Sequence, residues 1–492
     1  MKVKSFNIVK YILLLTIIYF PLFGHLDTLP IRNFDEARLA INAYEMHSNG
    51  NLIVTHFQKK PDMWNTKPPL MIWMQVLFMK LIGVNELAIR LPAAIAAFLT
   101  CVFFLFFSLR QFKDQWFGYI ACLVLTTTVG YIHVHATRTG DYDSLLTLFT
   151  TLYPLLFFLF IETKKTKYLY FTFFAITLSV LTKGIAGLLF VPVLPLFALY
   201  KRNLISLVKN KHFYIGFGIF LFFSIGYYLL RESMNPGFIK AVWNNEIGGR
   251  YAEVIEGHKG GFWYYYRLII DHLFVYWFVL VPCSVIIGLF YKNPLYRHLT
   301  IYLTSLVLFY FLVISLGKTK LQWYAVPMYP FLAMIVAIFI NLIFKFLASS
   351  SFFNRILRVN VLPYIFLFLV SINPVSHIIG KVNPPKEFSW EIDKYRMGYM
   401  LRDALKGKLD LSGYTLLHGG YAPHHYFYIT VMNDKGVDIS LRKDAKNLKP
   451  NDKVFAQQSD IKDYISSNYT YEILRTEKDV VFYKIISCIS HD

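Results

Sequence analysis

Two carboxylates and a guanidinium stand close together just after the first apolar stretch of the chain. The segment reads DEAR and supplies Asp35, Glu36 and Arg38. Asp35 and Arg38 are three residues apart, so they share one face if the segment is helical. A carboxylate beside a guanidinium at a membrane surface suits a general base next to a cation that holds an anionic group, such as a phosphate.

The same segment has a purely structural interpretation. Asn33 can cap a helix, with Glu36 reaching back to the backbone N–H of the cap residue in a capping box. Both carboxylates then lie in the first turn, where the helix dipole favours negative charge. The segment alone leaves both interpretations open.

Two lysines lie at the ends of apolar stretches. Lys67 directly precedes a helix that would start at Pro68–Pro69, and Lys183 lies in the tight turn LTKG. A lysine held at such a place can bind a phosphate as a point charge. The alternative is a lysine that extends its ammonium group to the membrane surface.

Other candidate residues lie in two polar segments. RTGDYDSLL contains Arg138, Asp141 and Asp143; its DxD pattern could hold a divalent metal, or either aspartate could cap the following helix. His258, in GHKGGFWYYY, is either an interfacial histidine or a ligand. The aromatic run beside it is typical of a membrane–water interface.

The elements that must position these residues are membrane helices. The chain has 492 residues, of which 56% are hydrophobic and 18% aromatic, and its mean hydropathy is +0.44. Apolar runs of spanning length recur throughout, which predicts a polytopic α-helical membrane protein. The predicted spans are roughly 9–26, 87–109, 116–134, 144–161, 168–182, 184–200, 213–230, 268–290, 299–316, 322–344 and 359–376. The four cysteines are scattered and indicate no disulfide framework.

The net charge of +20 is explained by topology. Lys and Arg concentrate in the loops on one side of the predicted spans, so the positive-inside rule places those loops and the N-terminus in the cytoplasm. The basic excess then reflects orientation and lipid contact, and it does not indicate a nucleic-acid partner. The candidate residues all fall on the outer face, in long segments 27–86 and 231–267 and in short turns.

The C-terminal part of the chain has a different pattern. Short alternating runs such as YTLLHGG, DKVFAQ and DVVFYKI follow the last apolar stretch. They predict a small extracytoplasmic α/β domain over 377–492, after a membrane domain over 1–376.

Several segments together resemble one family. DEARLAINAYEM, KPPLMIWMQVLFMKLIGVNELAIRLPAAIAA, RTGDYDSLL, LTKG, NNEIGGRYAEVIEGHKGGFWYYY and GKTKLQWYAVPMYP are similar to segments of the bacterial protein-O-mannosyltransferase-type membrane glycosyltransferases. That group includes the transferases that add aminoarabinose to lipid A. The resemblance covers about residues 10–345 and implies a GT-C fold of about 11 (11–13) transmembrane helices.

The resemblance also implies roles for individual residues. Asp35 would be the base, with Glu36 as its neighbour, and Asp143 matches the family's acidic residue before the fourth span better than Asp141 does. The groups expected to face the lipid phosphate are Arg38, Lys67, Lys183, Arg250 and Tyr324.

The resemblance leaves open whether the protein binds a metal. His258 matches a histidine that is similar to a zinc ligand in the aminoarabinose enzymes. Their second ligand is an acidic residue just before the KPP lysine, and here that position is Thr66. Arg and Lys alone can stabilise a monophosphate leaving group, so no cofactor is required. Metal dependence stays open.

The sequence thus predicts an inverting hexosyl- or pentosyltransferase of the bacterial cytoplasmic membrane. Its donor would be a polyprenyl-phosphate sugar, and its acceptor a glycolipid, a protein or another envelope polymer on the outer face. The alternatives are a lipid or glycan transporter and a non-catalytic scaffold. Transporters typically show paired repeats and interrupted helices at mid-membrane. This sequence shows no repeat, and its charges collect at one interface, which favours an enzyme.

Overall fold

A computed structural model describes residues 15–249, 253–254, 257–349 and 361–489. Its helices are α1 (Asp35–Asn49), α2 (Leu70–Ile82), α3 (Glu86–Phe112), α4 (Gln115–Thr126), α5 (Asp143–Thr163), α6 (Thr166–Lys183), α7 (Val193–Tyr200), α8 (Leu204–Val208), α9 (Lys211–Met234), α10 (Phe238–Val242), α11 (Tyr264–Leu268), α12 (Leu280–Phe290), α13 (Pro294–Leu316), α14 (Tyr329–Ser349), α15 (Leu362–Val382), α16 (Ile392–Leu405), α17 (Pro423–Asp434) and α18 (Ser459–Asn468). The strands are β1 (His56–Phe57), β2 (Lys60–Pro61), β3 (Tyr414–Leu417), β4 (Ile439–Arg442), β5 (Lys453–Ala456), β6 (Tyr469–Glu477) and β7 (Val480–Cys488).

Helices of membrane-spanning length form the larger part of the molecule. Within the described ranges, seven helical segments are long and apolar enough to cross a membrane, and three shorter apolar helices accompany them. The long ones are α3, α5, α6 with its 3₁₀ extension to Leu188, α9, α13, α14 with the 3₁₀ turn before it, and α15. The chain is therefore a multi-pass membrane protein, as predicted.

Asparagine side chains start several of these helices. Asn85 accepts a hydrogen bond from Ala88 N at α3, and Asn293 accepts one from Leu295 N at α13. Asn210 does the same at the start of α9. Each cap satisfies an N–H group that has no partner within its own helix. The start of each helix is thus encoded locally.

Three predicted spans are not single helices. In 116–134, α4 ends at Thr126, where the hydroxyls of Thr126, Thr127 and Thr128 bond carbonyls of the preceding turn and compete with the helix. Segment 184–200 is a 3₁₀ turn followed by α7, and 268–290 contains a π-helical turn, a break and then α12. The first predicted span begins outside the described residues. The total of eleven spans stays a prediction.

The chain after α15 forms a five-stranded mixed sheet. The strand order is β4-β3-β5-β7-β6, with β4, β3 and β5 parallel and β7 and β6 antiparallel to their neighbours. Helix α15 continues to Val382, past the predicted boundary at residue 376. The division into domains at that residue stays a prediction.

The C-terminal sheet is attached to the membrane body through α17. The hydroxyl of Tyr428 donates to Glu86 Oε1 at 2.7 Å and accepts from Ile31 N at 2.9 Å. Tyr44 of α1 donates to Asp434 Oδ2 at 2.6 Å. The loop after β3 also contacts α1, because Arg38 donates to the hydroxyl of Tyr421 in that loop.

Candidate active site

Asp35 lies at the edge of a large cavity on the side of the membrane body that carries α1. It is the first residue of α1, and its side chain is 55% exposed. The cavity has a volume of about 840 Å³, and His135, His258, Trp323 and Tyr421 also line it. An exposed carboxylate in a cavity of this size is accessible to a ligand and can accept a proton from it.

His135 is the residue that connects Asp35 to the rest of the site. Its Nδ1 lies 3.7 Å from Asp35 Oδ2 and 3.5 Å from Asp141 Oδ2. The ring stacks on Trp323 with a centroid separation of 3.7 Å. Its backbone has a φ of 61°, a left-handed conformation that costs free energy for a residue with a side chain. The loop therefore holds the ring in place at an energetic cost.

The tautomer of His135 follows from its other neighbour. Arg32 Nη1 lies 2.7 Å from His135 Nε2. A guanidinium can only donate, so Nε2 accepts and the proton of the neutral ring is on Nδ1, facing the two aspartates. Although burial alone would raise the pKa of Asp141, contacts with His135, Thr139 and Arg32 hold it below its ordinary value. Asp141 is thus an anion that orients this ring.

Glu36, which was predicted to act beside the base, is buried outside the cavity. It is 1% exposed and does not line the cavity of Asp35. Its carboxylate accepts Arg90 Nε at 2.7 Å and Arg90 Nη2 at 2.9 Å, and also the backbone N–H groups of Arg32 and Gly140. The predicted capping box with Asn33 is also absent from the described contacts, because the carboxylate of Glu36 bonds Arg32 N instead. Glu36 therefore joins α1 to α3 and to the loop that contains Gly140.

Gly140 shows how tightly this region is packed. A Cβ added there would lie 2.7 Å from the Ile89 carbonyl oxygen. Only glycine allows the backbone N–H to reach Glu36 Oε1 at 2.9 Å.

Arg38 also has a carboxylate partner. Its guanidinium makes a bidentate pair with Asp62, with Nε–Oδ2 at 2.9 Å and Nη2–Oδ1 at 2.6 Å, and it bonds the Tyr421 hydroxyl. It lines the cavity of Asp35, with its charge largely compensated, and its predicted contact with the lipid phosphate stays a prediction. Asp62 has fixed partners in Asn42 and the backbone N–H of Asn65.

The Arg38–Asp62 pair predicts a pH dependence of stability. Burial opposes ionisation of Asp62, but the bonds from Arg38 outweigh it and lower the pKa of this carboxyl. A depressed folded-state pKa stabilises the protein above the ordinary carboxyl value, about 3.9, and this stabilisation is lost as the pH falls below it. We expect the melting temperature to fall more steeply between about pH 5 and pH 3 in the wild type than in Asp62→Asn. Parallel curves would contradict this role.

The two predicted phosphate-binding lysines lie beside acidic partners. Lys183 Nζ is 2.6 Å from Asp143 Oδ1 and faces the ring of Tyr324 at 5.8 Å. Lys67 Nζ is 3.3 Å from Glu246 Oε1. Neither lysine lines the cavity of Asp35.

Neighbouring residues nevertheless connect Lys183 to that cavity. Asp141 contacts His135, and Asp143 two residues on binds Lys183. In the same way Trp323 stacks on His135, and the adjacent Tyr324 faces Lys183. Two short segments therefore bring the base and a lysine to adjoining parts of one site.

Arg138 and His258, two further predicted residues, lie in different places. Arg138 does not line the cavity of Asp35; its guanidinium donates to the carbonyls of Pro21, Leu22, Gly24 and His25. His258 lines the cavity, and its carbonyl accepts Lys320 N at 2.9 Å. Arg250 lies outside the described residues.

One group of side chains has the spacing of metal ligands. Among the described residues, Asp35, His135 and Asp141 form a group of three side chains whose candidate ligand atoms lie within 4.8 Å of one another. A metal at His135 Nδ1 would require the proton on Nε2, where Arg32 already donates. The zinc site that the resemblance suggests at His258 lacks its acidic second ligand. Thr66 occupies the position before the KPP lysine, and its hydroxyl donates to Glu246 Oε1 at 3.0 Å. In this arrangement the residues do not fit a metal.

His135, Trp323 and Arg32 were not among the predicted site residues. Trp323 lies within GKTKLQWYAVPMYP, and Arg32 and His135 lie three residues before DEAR and RTGDYDSLL, but their types gave no signal of their own. A histidine in the short polar loop HVHATRTGDYD, between two apolar stretches, was the available clue.

Comparisons with known proteins give a family match and several relatives. Residues 66–228 match the family model described as dolichyl-phosphate-mannose-protein mannosyltransferase. An uncharacterized protein of Aquifex aeolicus is 28% identical over 279 residues, which are 56% of this chain and 53% of that protein. The undecaprenyl phosphate-alpha-4-amino-4-deoxy-L-arabinose arabinosyl transferase of Aeromonas hydrophila is 26% identical over 341 residues, which are 67% of this chain and 60% of the relative. The matches thus span less than two thirds of these relatives' own length.

Solved structures share the fold over more of the chain. ArnT from Cupriavidus metallidurans, bound to undecaprenyl phosphate, superposes with a TM-score of 0.70 at 15% identity, covering 97% of this chain and 98% of that one. The archaeal oligosaccharyltransferase AglB from Archaeoglobus fulgidus gives 0.56 at 10% identity, covering 86% and 63%. The shared fold makes this chain a GT-C-fold membrane protein, and the family match and the relatives show that it is similar to the protein-mannosyltransferase and ArnT type of glycosyltransferases.

Proposed function

We propose that the chain transfers a sugar from a polyprenyl-phosphate donor to an acceptor at the outer face of a bacterial cytoplasmic membrane. The observation that carries the proposal is the contrast between the two neighbouring carboxylates. Asp35 is exposed in the 840 Å³ cavity, whereas Glu36 is buried and fully paired. Only one of them is available to accept a proton from a bound acceptor.

The reaction follows from this arrangement. Asp35 takes the proton of the acceptor hydroxyl while the acceptor oxygen attacks the anomeric carbon. The bond from that carbon to the phosphate oxygen breaks, and the polyprenyl monophosphate leaves with the electron pair. Attack opposite the leaving group inverts the anomeric centre.

The growing charge on the phosphate needs fixed cations. Lys183 and Lys67 are the candidates, and each is held by a carboxylate at 2.6 Å and 3.3 Å respectively. Such pairing keeps a lysine extended and in place while the ligand is absent. The relatives support a lipid-linked donor, because one is named as an undecaprenyl phosphate-alpha-4-amino-4-deoxy-L-arabinose arabinosyl transferase and the solved ArnT is bound to undecaprenyl phosphate.

A deletion strain tests the function. We expect envelope glycolipids or glycoproteins of that strain to lack one sugar by mass spectrometry, and a plasmid with the wild-type gene to restore it. Restoration by Asp35→Asn at equal protein level would contradict the assigned base. An unchanged envelope in the deletion strain would contradict the transfer activity itself.

His135 is proposed as a positioning residue for Asp35. His135→Ala should lower kcat by about 10²-fold, because a carboxylate displaced by about 1 Å loses that much. KM for the donor should stay within about twofold, since the ring contacts Asp35 and Asp141 and neither of the two lysines. His135→Gln, whose amide can accept from Arg32 and donate to an aspartate, should recover part of kcat. Equal kcat in His135→Ala and wild type would contradict the role.

A further inference from the structure

Three histidines lie at the two ends of the loop that joins β3 to α17. His418 directly follows β3, and His424 and His425 belong to the first turn of α17. Between ring centroids, His425 lies 4.5 Å from His418 and 4.0 Å from His424. These three residues are called the histidine cluster below. Titratable rings in mutual contact thus hold both ends of one short loop.

The two histidines of α17 are buried without hydrogen bonds. His424 and His425 are 2% and 1% exposed. Among the described residues, no partner completes a hydrogen bond with a ring nitrogen of either one. Burying a polar group without a partner costs free energy, so such a group in a folded protein calls for a reason.

A metal ion does not supply that reason. Three candidate ligand atoms lie within 4.8 Å of one another at Asp35, His135 and Asp141, and among the described residues the histidine cluster is not such a group. Its rings instead pack against one another, with an angle of 85° between the planes of His418 and His425. Edge-to-face packing is typical of uncharged aromatic rings.

The surroundings of the cluster favour neutral rings. Burial, and then the neighbouring His418, lower the pKa of His424 to about 3. Burial and the other two rings lower the pKa of His425 further. Two charged groups face the cluster: the ammonium of Lys394 in α16 adds to the lowering at His424, where the Lys394 backbone partly opposes it, and Asp460 in α18 partly opposes the lowering of the pKa of His418 by burial.

Rings of this kind make the packed arrangement sensitive to acid. A histidine in water has a pKa of about 6.5, so an arrangement that exposes a ring takes up a proton at a pH where the buried ring stays neutral. The packed arrangement is therefore fully favoured above about pH 6.5. As the pH falls from there towards the lowered pKa, the exposed arrangement gains about tenfold in relative population per pH unit for each ring.

The loop between these histidines forms part of the wall of the cavity of Asp35. Tyr421 lines that cavity, its hydroxyl accepts Arg38 Nη1 at 3.2 Å, and its ring stacks on Phe34 at 6.2 Å. The carbonyl of Tyr421 accepts Asn33 Nδ2 at 3.4 Å. All three partners belong to α1 or directly precede it, and Asp35 is the first residue of α1. Movement of the loop would therefore open the cavity beside the proposed base.

We propose that the histidine cluster is an acid-sensitive switch of this cavity. When its rings take up protons from solution, the loop 418–423 leaves α1 and the wall at Tyr421 opens. The inference goes beyond the proposed function, because it does not depend on which reaction takes place at Asp35.

Hydrogen–deuterium exchange, read by mass spectrometry of peptides, measures this opening without turnover. Purified full-length protein in a non-ionic detergent is labelled at about pH 7.5, 6.5 and 5.5, with labelling times scaled to the intrinsic exchange rate at each pH. The variants are His424→Phe/His425→Phe, which keeps two aromatic rings but removes their proton uptake, and the single variant His425→Phe. His272→Gln is the control, because this histidine is exposed and lies outside both the cluster and the cavity lining.

We expect exchange in residues 418–428 of the wild type to accelerate about 100-fold between about pH 7.5 and 5.5, since two buried rings contribute about tenfold each. Peptides over residues 33–38 should accelerate with them, and His272→Gln should behave like the wild type. The double variant should lose the acceleration, and His425→Phe should retain about tenfold.

Three results would overturn the proposal. The first is an undiminished acceleration in the double variant or, if that variant does not fold, in His425→Phe. The second is an equal acceleration in β6 and β7, which would indicate general unfolding in acid. The third is a loop that opens while residues 33–38 stay protected, because the cluster would then act apart from the cavity. A protein without transfer activity that shows the expected exchange pattern would refute the proposed function and support the switch.

Discussion

Asp35→Asn should abolish sugar transfer while the protein still binds its donor. Asparagine has nearly the shape of aspartate but cannot accept the acceptor proton as a base, and general-base catalysis typically contributes about 10²–10⁴-fold. The residue is at the surface of the 840 Å³ cavity with its side chain 55% exposed, and its buried neighbour His135 also contacts Asp141, so the substitution should leave the fold intact. The measurement is the rate of polyprenyl phosphate release from a polyprenyl-phosphate sugar by the purified protein, with donor affinity determined separately.

A matched control distinguishes chemistry from charge. Asp393→Asn removes one exposed carboxylate, whose side chain is 81% accessible and does not line the cavity of Asp35, and it should retain wild-type turnover. If Asp35→Asn retains more than about a tenth of the wild-type rate, another group is the base. If it loses donor binding as well, Asp35 belongs to the donor site.

Glu36→Ala should destabilise the protein, although it is the direct neighbour of the proposed base. The side chains of Glu36 and Arg90 are 1% and 3% exposed. Every N–H group of the Arg90 guanidinium donates to Glu36 or to the carbonyls of Leu26, Leu29 and Pro30. Removing one partner of a buried ion pair leaves an uncompensated charge and costs about 3–5 kcal/mol. We expect a clearly lower melting temperature in detergent for Glu36→Ala.

The control for Glu36 is a solvent-exposed pair. Asp403→Ala breaks a contact with Lys408 at 3.6 Å in which both side chains are well exposed. Such pairs contribute about 0–1 kcal/mol, so its melting temperature should stay near that of the wild type. A Glu36→Ala protein with normal stability and no activity would show that Glu36 acts in catalysis after all.

The membrane helices and the family could be predicted because their signals are local. A run of about 20 apolar residues specifies a span wherever it occurs, and asparagine caps specify where several helices start. The resemblance depended on many spacings agreeing along one chain, and the comparisons confirm it. The interrupted spans were missed because a threonine cluster or a 3₁₀ turn has little effect on average hydropathy.

The sequence by itself determined that this chain is a multi-pass membrane protein, that its unusual charges lie between the apolar runs, and that Asp35 is among the candidate bases. Only the tertiary structure decided how the charges pair. Glu36 and Asp35 are adjacent in sequence, yet Arg90, 54 residues away, takes one while His135, from another loop, faces the other. Burial and partner together decide whether a carboxylate is structural or reactive. Both depend on residues distant in sequence, so no local pattern could assign them.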